Sequence, residues 1–71
     1  MKVAYQGFAG EVVHDLDEGV FHITGYRRSD MASGEAAGLN DCLAEYKKSV
    51  DVLLEDIGRL AAYRTKQLTR A

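Results

Sequence analysis

Leu39-Asn40-Asp41-Cys42-Leu43-Ala44-Glu45-Tyr46-Lys47-Lys48-Ser49-Val50-Asp51-Val52-Leu53-Leu54-Glu55-Asp56-Ile57-Gly58-Arg59-Leu60 is the stretch that decides the fold. Its large apolar residues fall at Leu39, Leu43, Tyr46, Val50, Leu53, Ile57 and Leu60, in alternating steps of four and three. Side chains three and four apart share one face of an α-helix, so all seven form a single stripe, the expected core of the helix. Cys42, Leu54 and Ala61 widen the stripe on its flanks. Asn40, Lys47, Lys48, Asp51, Glu55 and Asp56 occupy the other side. Such a helix needs a sheet or another helix to lie on.

The residues upstream supply a sheet. Positions 3–14 read as extended, because Val3, Tyr5, Phe8, Val12 and Val13 favour strand while Gly7 and Gly10 disfavour helix. Two glycines within a strand mark a bulge or a close approach by another element. Asp15-Leu16-Asp17-Glu18-Gly19 reads as a turn. Residues 20–26 alternate, with Phe21 and Ile23 on one face and Val20, His22 and Thr24 on the other. Together these runs predict an antiparallel hairpin. Gly25 is expected to end or bulge the second strand. A weaker third strand is expected around Met31 and Ala32. Ser33 to Gly38 then leads into the helix, with Ser33 or Gly38 as its N-cap and Asp41 suited to the positive helix end. The expected class is α+β: a small antiparallel hairpin or three-stranded sheet (β-β-β-α), covered on one face by one long C-terminal helix. Residues 1–58 form the domain. Residues 59–71 form a basic tail that continues the helix, bends at Gly58 or frays.

Seventy-one residues make one small domain. A core of this size supplies only ~3–5 kcal/mol. Cys42 is the single cysteine, so no disulfide adds to it, and it suits a small packing role in a reducing compartment. No run approaches the ~20 apolar residues of a membrane span. The opening Met1-Lys2-Val3-Ala4-Tyr5 has no signal-peptide character, and a cytoplasmic location is expected. Charge is uneven. Residues 1–58 hold eleven acids and five bases, a balance of −6, whereas residues 59–71 hold Arg59, Arg64, Lys66 and Arg70 and no acid, a balance of +4.

Four groups of residues, in this order, carry a resemblance. They are Tyr5-Gln6-Gly7-Phe8-Ala9-Gly10; the acidic turn Asp15 to Gly19 with Phe21-His22; Gly25 with Arg27, Arg28 and Asp30; and Tyr46 with Ser49-Val50-Asp51 and Leu53-Leu54. Over roughly residues 5–57 the chain resembles the HicB-like antitoxin family. The resemblance implies a partial ribonuclease-H-like fold that lacks catalytic carboxylates. It implies an antitoxin of a toxin–antitoxin system that binds and blocks HicA, a small basic messenger-RNA-cleaving toxin. The family usually continues into a DNA-binding segment, which the thirteen residues from Arg59 to Ala71 are too few to hold.

The chemistry-bearing residues point to binding, not catalysis. Asp15, Asp17 and Glu18 are spaced like the start of a calcium loop, but the glycine and distal glutamate that such a loop needs are misplaced. A solvated acidic turn is the favoured reading and a partner-facing patch the second. His14 and His22 are expected to face each other across the hairpin as a cross-strand polar pair. No third metal ligand, nucleophile or oxyanion loop accompanies them in the sequence. No catalytic residue, metal or cofactor is therefore expected. Asp15, Asp17, Glu18, Arg27, Arg28, Asp51 and Glu55 are the candidate partner-binding residues. The expected function is a non-catalytic, antitoxin-like protein inhibitor of a small basic ribonuclease. The alternative is a phage or mobile-element inhibitor of a host nuclease complex, anti-CRISPR-like, on the same fold. A small enzyme is a distant third. The four bases of the tail are too few for specific DNA binding. A homodimer is expected, through exposed apolar residues among Phe8, Val12, Val20, Leu54 and Leu68.

Overall fold

A computed structural model describes residues 1–68, with side chains described through Arg59. The elements are β1 (Lys2–Tyr5), β2 (Phe8–Asp15), β3 (Val20–Arg27), β4 (Asp30–Ala36) and α1 (Leu39–Leu68). The strands form one antiparallel sheet in the order β1-β2-β3-β4, and the helix covers one of its faces. This is the expected α+β arrangement with a fourth strand added.

The extra strand comes from a turn inside the expected run 3–14. Gln6 and Gly7 have φ of 52° and 85°, and the chain reverses there so that Tyr5 pairs with Phe8. Positive φ at both central residues is the signature of the tight hairpin turn whose twist matches the flanking strands. Gly7 therefore marks a turn. Gly10 marks a close approach, since a Cβ there would lie 2.8 Å from Gly25 Cα on the adjacent strand.

Register explains which residues are buried. Val12 pairs with Ile23, Gly10 with Gly25, and Gly25 in turn with Ala32. Along each strand alternate residues share a face. The covered face thus carries Val3, Phe8, Gly10, Val12, Phe21, Ile23, Gly25, Ala32, Gly34 and Ala36. The fully buried set is Phe8, Ile23, Ala32, Cys42, Tyr46 and Val50, with Val3, Tyr5, Leu43, Leu53 and Leu54 among the half-buried residues packed on it.

β4 is longer than the sequence led us to expect. It runs through Ser33-Gly34-Glu35-Ala36, which had read as the approach to the helix. Its helix-facing residues are Ala32, Gly34 and Ala36, all small. Their size lets the helix settle mainly on β4 and secondarily on β3. Gly25 neither ends nor bulges β3; it lies in mid-strand beneath the Tyr46 ring.

Gly38 is the N-cap, because its carbonyl accepts the first helical hydrogen bond from Cys42 N at 2.9 Å. Ser33 instead stays in β4, where its amide donates to Ser49 Oγ at 3.4 Å. The helix runs through Gly58 without a break. Its stripe is core only as far as Leu53 and Leu54, since Ile57 is 36% exposed. The sheet ends beneath that point: eight-residue strands reach ~26 Å, whereas thirty helical residues reach ~45 Å. The side chains of Leu60, Ala61 and Leu68, and residues 69–71 altogether, lie outside the described part.

Of the apolar residues expected to be exposed, three are covered, Val20 is half-buried on the uncovered face, and the side chain of Leu68 lies outside the described part. Phe8 is buried, and Val12 and Leu54 pack on the core. Val13, Leu16, Tyr26, Met31 and Val52 are exposed instead. The cause is the Gln6–Gly7 turn: it creates β1 and turns Phe8 under the helix. Among the described residues no helix is long and apolar enough to cross a membrane.

Cys42 occupies the packing role its sequence position indicated. Its side chain is buried, and Sγ donates to Phe21 O at 3.3 Å. Burial pushes the thiol above its ordinary value of 9.0, partly opposed by a backbone hydrogen bond at Ala36. Burial likewise raises the Tyr46 phenol from 10.0. Both groups are neutral when protonated and have folded pKa values above their unfolded ones. Their stabilising effect is thus complete below pH 9 and is lost as pH rises through the folded values. We expect the denaturation midpoint to hold level from pH 7 to 8.5 and to fall above pH 9. A thiol reagent at pH 8 should label Cys42 far more slowly in the native protein than in denaturant. Equal labelling rates in the two states would show that the thiol is not enclosed.

Candidate functional site

Two clusters of polar side chains sit at opposite ends of the sheet. The first is built on the β2–β3 turn. Asp15 closes β2, and its Oδ1 accepts from Asp17 N at 3.0 Å and Glu18 N at 3.2 Å. Gly19, at φ 69°, returns its amide to Asp15 O at 2.8 Å. Asp17 and Glu18 are thus presented to solvent on a loop fixed by its own backbone, with Leu16 at 81% exposure on the tip.

His22 lies beside this loop on the uncovered face of the sheet. It pairs with Val13 and, on its other side, with Glu35 of β4. His22 Nδ1 and Glu35 Oε2 are 3.4 Å apart. Donor atoms of Asp15, Glu18 and His22 all lie within 4.8 Å of one another. His14 is not part of this group. Asp15 pairs with Val20, so position 14 meets 21 and not 22. His14 therefore stacks on Phe21, with ring centroids 4.1 Å apart and planes 7° from parallel. That one-residue difference in register puts the two histidines on opposite faces. The expected histidine pair does not form.

The second cluster is at the other end, where the β1–β2 and β3–β4 turns meet the middle of the helix. Tyr5 Oη donates to Asp51 Oδ1 at 3.0 Å, an interaction that raises the phenol pKa. Lys47 Nζ lies 5.7 Å from the Tyr5 ring centroid. Arg27 is half-buried, with its guanidinium carbon 5.4 Å from the Phe8 ring centroid and Nη1 3.5 Å from Gln6 O. Its aliphatic stem lies against Gly7. Arg28 is exposed on the turn with φ 57°. Glu55 pairs with Arg59 at 2.6 Å, with both side chains mostly in solvent, a contact worth a few tenths of a kcal/mol.

The candidate partner-binding residues therefore do not form one surface. Asp15, Asp17 and Glu18 stand together, and Glu35 and Asp41 lie toward the same end. Asp51 and Glu55 are on the far half of the helix. Arg27 is occupied in packing. Sequence reasoning missed Glu35 and the position of His22. The signal that finds them is pairing parity, which becomes available once Asp15 is known to face Val20.

The residues that carried the resemblance meet one another in space. Tyr46 Oη donates to Phe8 O at 3.0 Å, and its ring lies over Gly25. Tyr5 meets Asp51, and Ser49 meets Ser33. These positions hold helix to sheet, while at the acidic end Asp15 fixes its own turn and Asp17 and Glu18 face solvent. No protein-family model, no curated protein and no solved structure matches this chain.

Proposed function

We propose that this chain is a non-catalytic, antitoxin-like protein that neutralises a small basic ribonuclease of the HicA type by direct binding. The observation that carries the reading is the fixed, exposed acidic end at Asp15, Asp17 and Glu18, on a chain whose HicB-like motif residues interlock. Steering between opposite charges accelerates association and weakens as salt rises. The body's balance of −6 over residues 1–58 gives a basic partner that bias. Exposed Tyr26 and Met31 on the uncovered sheet face support an accompanying homodimer.

The test is co-expression with a HicA-type toxin, followed by stopped-flow association of the purified pair. The native chain should rescue growth and bind the toxin. Asp15→Lys combined with Glu18→Lys should slow association about tenfold or more at low salt and flatten its salt dependence. Failure of the native chain to bind the toxin, or nuclease activity in the chain itself, overturns the reading. Unchanged association by the doubly reversed variant would move the contact away from the acidic turn.

A further inference from the structure

We infer that the β2–β3 hairpin is a binding site for one first-row divalent transition ion, with Asp15, Glu18 and His22 as ligands and Glu35 as the positioning residue behind His22. This goes beyond inhibitor binding but shares Asp15 and Glu18 with the proposed partner surface, so it is tested on the chain alone, without the partner. It also departs from the expectation of a metal-free chain. That expectation weighed the histidine pair and the acidic turn separately, whereas the register brings His22 alone to the turn.

The geometry has two independent parts. In the first, two carboxylates and one imidazole offer donor atoms within 4.8 Å of one another. Ligands at about 2.0–2.2 Å from one ion lie at most ~4.4 Å apart, so binding draws these side chains together by small rotations at the turn. They come from three different places in the hairpin. Asp15 ends one strand, Glu18 is in the loop, and His22 is on the returning strand, diagonal to Asp15 on the same face. In the second, Glu35 sits on a different strand, outside the ligand set, with its carboxylate 3.4 Å from His22 Nδ1. A carboxylate that hydrogen-bonds one ring nitrogen fixes the tautomer and leaves the other nitrogen free to ligate, the arrangement commonly found behind metal-bound histidines. Glu35 stands close enough to take up that role by a small side-chain rotation.

The donor set also selects the class of ion. An imidazole with two carboxylates suits zinc, manganese, iron or nickel. Calcium and magnesium prefer oxygen donors throughout and gain little from His22. Three protein ligands leave positions for water, and Glu18 and Asp15 are reachable from solvent. Bound there, the ion fastens the loop to β3 and offsets the negative charge of the turn.

The experiment is a titration of the intact chain with Zn²⁺ alone, in a chelator-free buffer, followed by calorimetry and by the ring ¹⁵N signals of His22. We expect saturation at one ion per chain, a perturbed His22 ring, and a rise in melting temperature with zinc. Ca²⁺ at the same concentrations should leave the His22 ring signals in place. His22→Gln and Glu18→Gln should each weaken zinc binding at least about tenfold, while His14→Gln leaves it unchanged. Glu35→Gln should also weaken it by roughly 10–100-fold and shift the tautomer signature of His22 in the ion-free protein. Glu18 is an exposed turn residue, so its variant keeps the fold and remains informative if the others do not. No saturable zinc binding overturns the inference. So does binding that His22→Gln and Glu18→Gln leave intact, or that His14→Gln abolishes.

Discussion

Gly34→Val should leave the chain unable to fold. A Cβ at Gly34 would stand 2.6 Å from Tyr46 N, 2.8 Å from Cys42 O and 2.9 Å from Tyr46 Cα. These atoms belong to the helix backbone, which cannot rotate aside as a side chain would. The whole helix would have to lift away from β4, and the contacts of Cys42, Tyr46 and Val50 with the sheet would loosen together. Overpacking costs ~1–3 kcal/mol even where neighbours adjust, so Gly34→Ala should lower stability by at least that much. Valine adds two further methyl groups to a domain whose core supplies only ~3–5 kcal/mol. Circular dichroism and a thermal melt check this. A cooperative Gly34→Val melt at the native midpoint would mean that the helix does not rest on β4.

The second large effect concerns Tyr46 and Gly25 as a pair. Tyr46→Ala should cost ~3–5 kcal/mol, the range for losing a fully buried aromatic ring. Gly25→Ala should also be severe, because its Cβ would overlap Tyr46 Oη and lie 2.8 Å from Cζ and 2.9 Å from Cε1. Tyr46→Phe removes the overlapping atom but leaves the buried Phe8 carbonyl without its partner, at a cost of ~1–3 kcal/mol. Tyr46→Phe removes the atom on which Gly25→Ala crowds, so Gly25→Ala with Tyr46→Phe should be less destabilised than the sum of the singles, by about 0.5–3 kcal/mol. Denaturant midpoints of the four proteins measure that difference. Simple additivity would show that the ring does not lie over Gly25.

These two glycines also mark where the sequence was hardest to read. The helix was legible because a stripe of large apolar residues has a period, and Leu43, Tyr46, Val50 and Leu53 all lie on the buried side. β3 was legible for the same reason, with Ile23 inside and Thr24 outside. β4 was not, because Ala32, Gly34 and Ala36 are poor strand formers. What recommends them is their lack of bulk, and that matters only once a helix backbone is known to press on them. Tertiary packing here overrides a weak local preference. β1 was hidden by a turn of Gln6 and Gly7, where the glycine signal was visible but its role was ambiguous between bulge and reversal. Of the site, the acidic turn itself was legible. The company it keeps was not, because a one-residue shift in register decides whether His22 meets His14 or the loop.

The simple order of the strands bears on how the chain reaches this state. Every strand pairs with its neighbour in sequence, and the reversals between them span only two to four residues. Closing such short loops costs little entropy, and topologies rich in local pairings fold fast. With no proline in the chain there is no cis–trans isomerisation to wait for, and with one cysteine there is no disulfide to reshuffle. The contacts made across a long span are those of the helix with the sheet, among them Tyr46 with Phe8, thirty-eight residues away, and Asp51 with Tyr5, forty-six away. The step with the longest loop to close is therefore the helix finding its seat on the sheet.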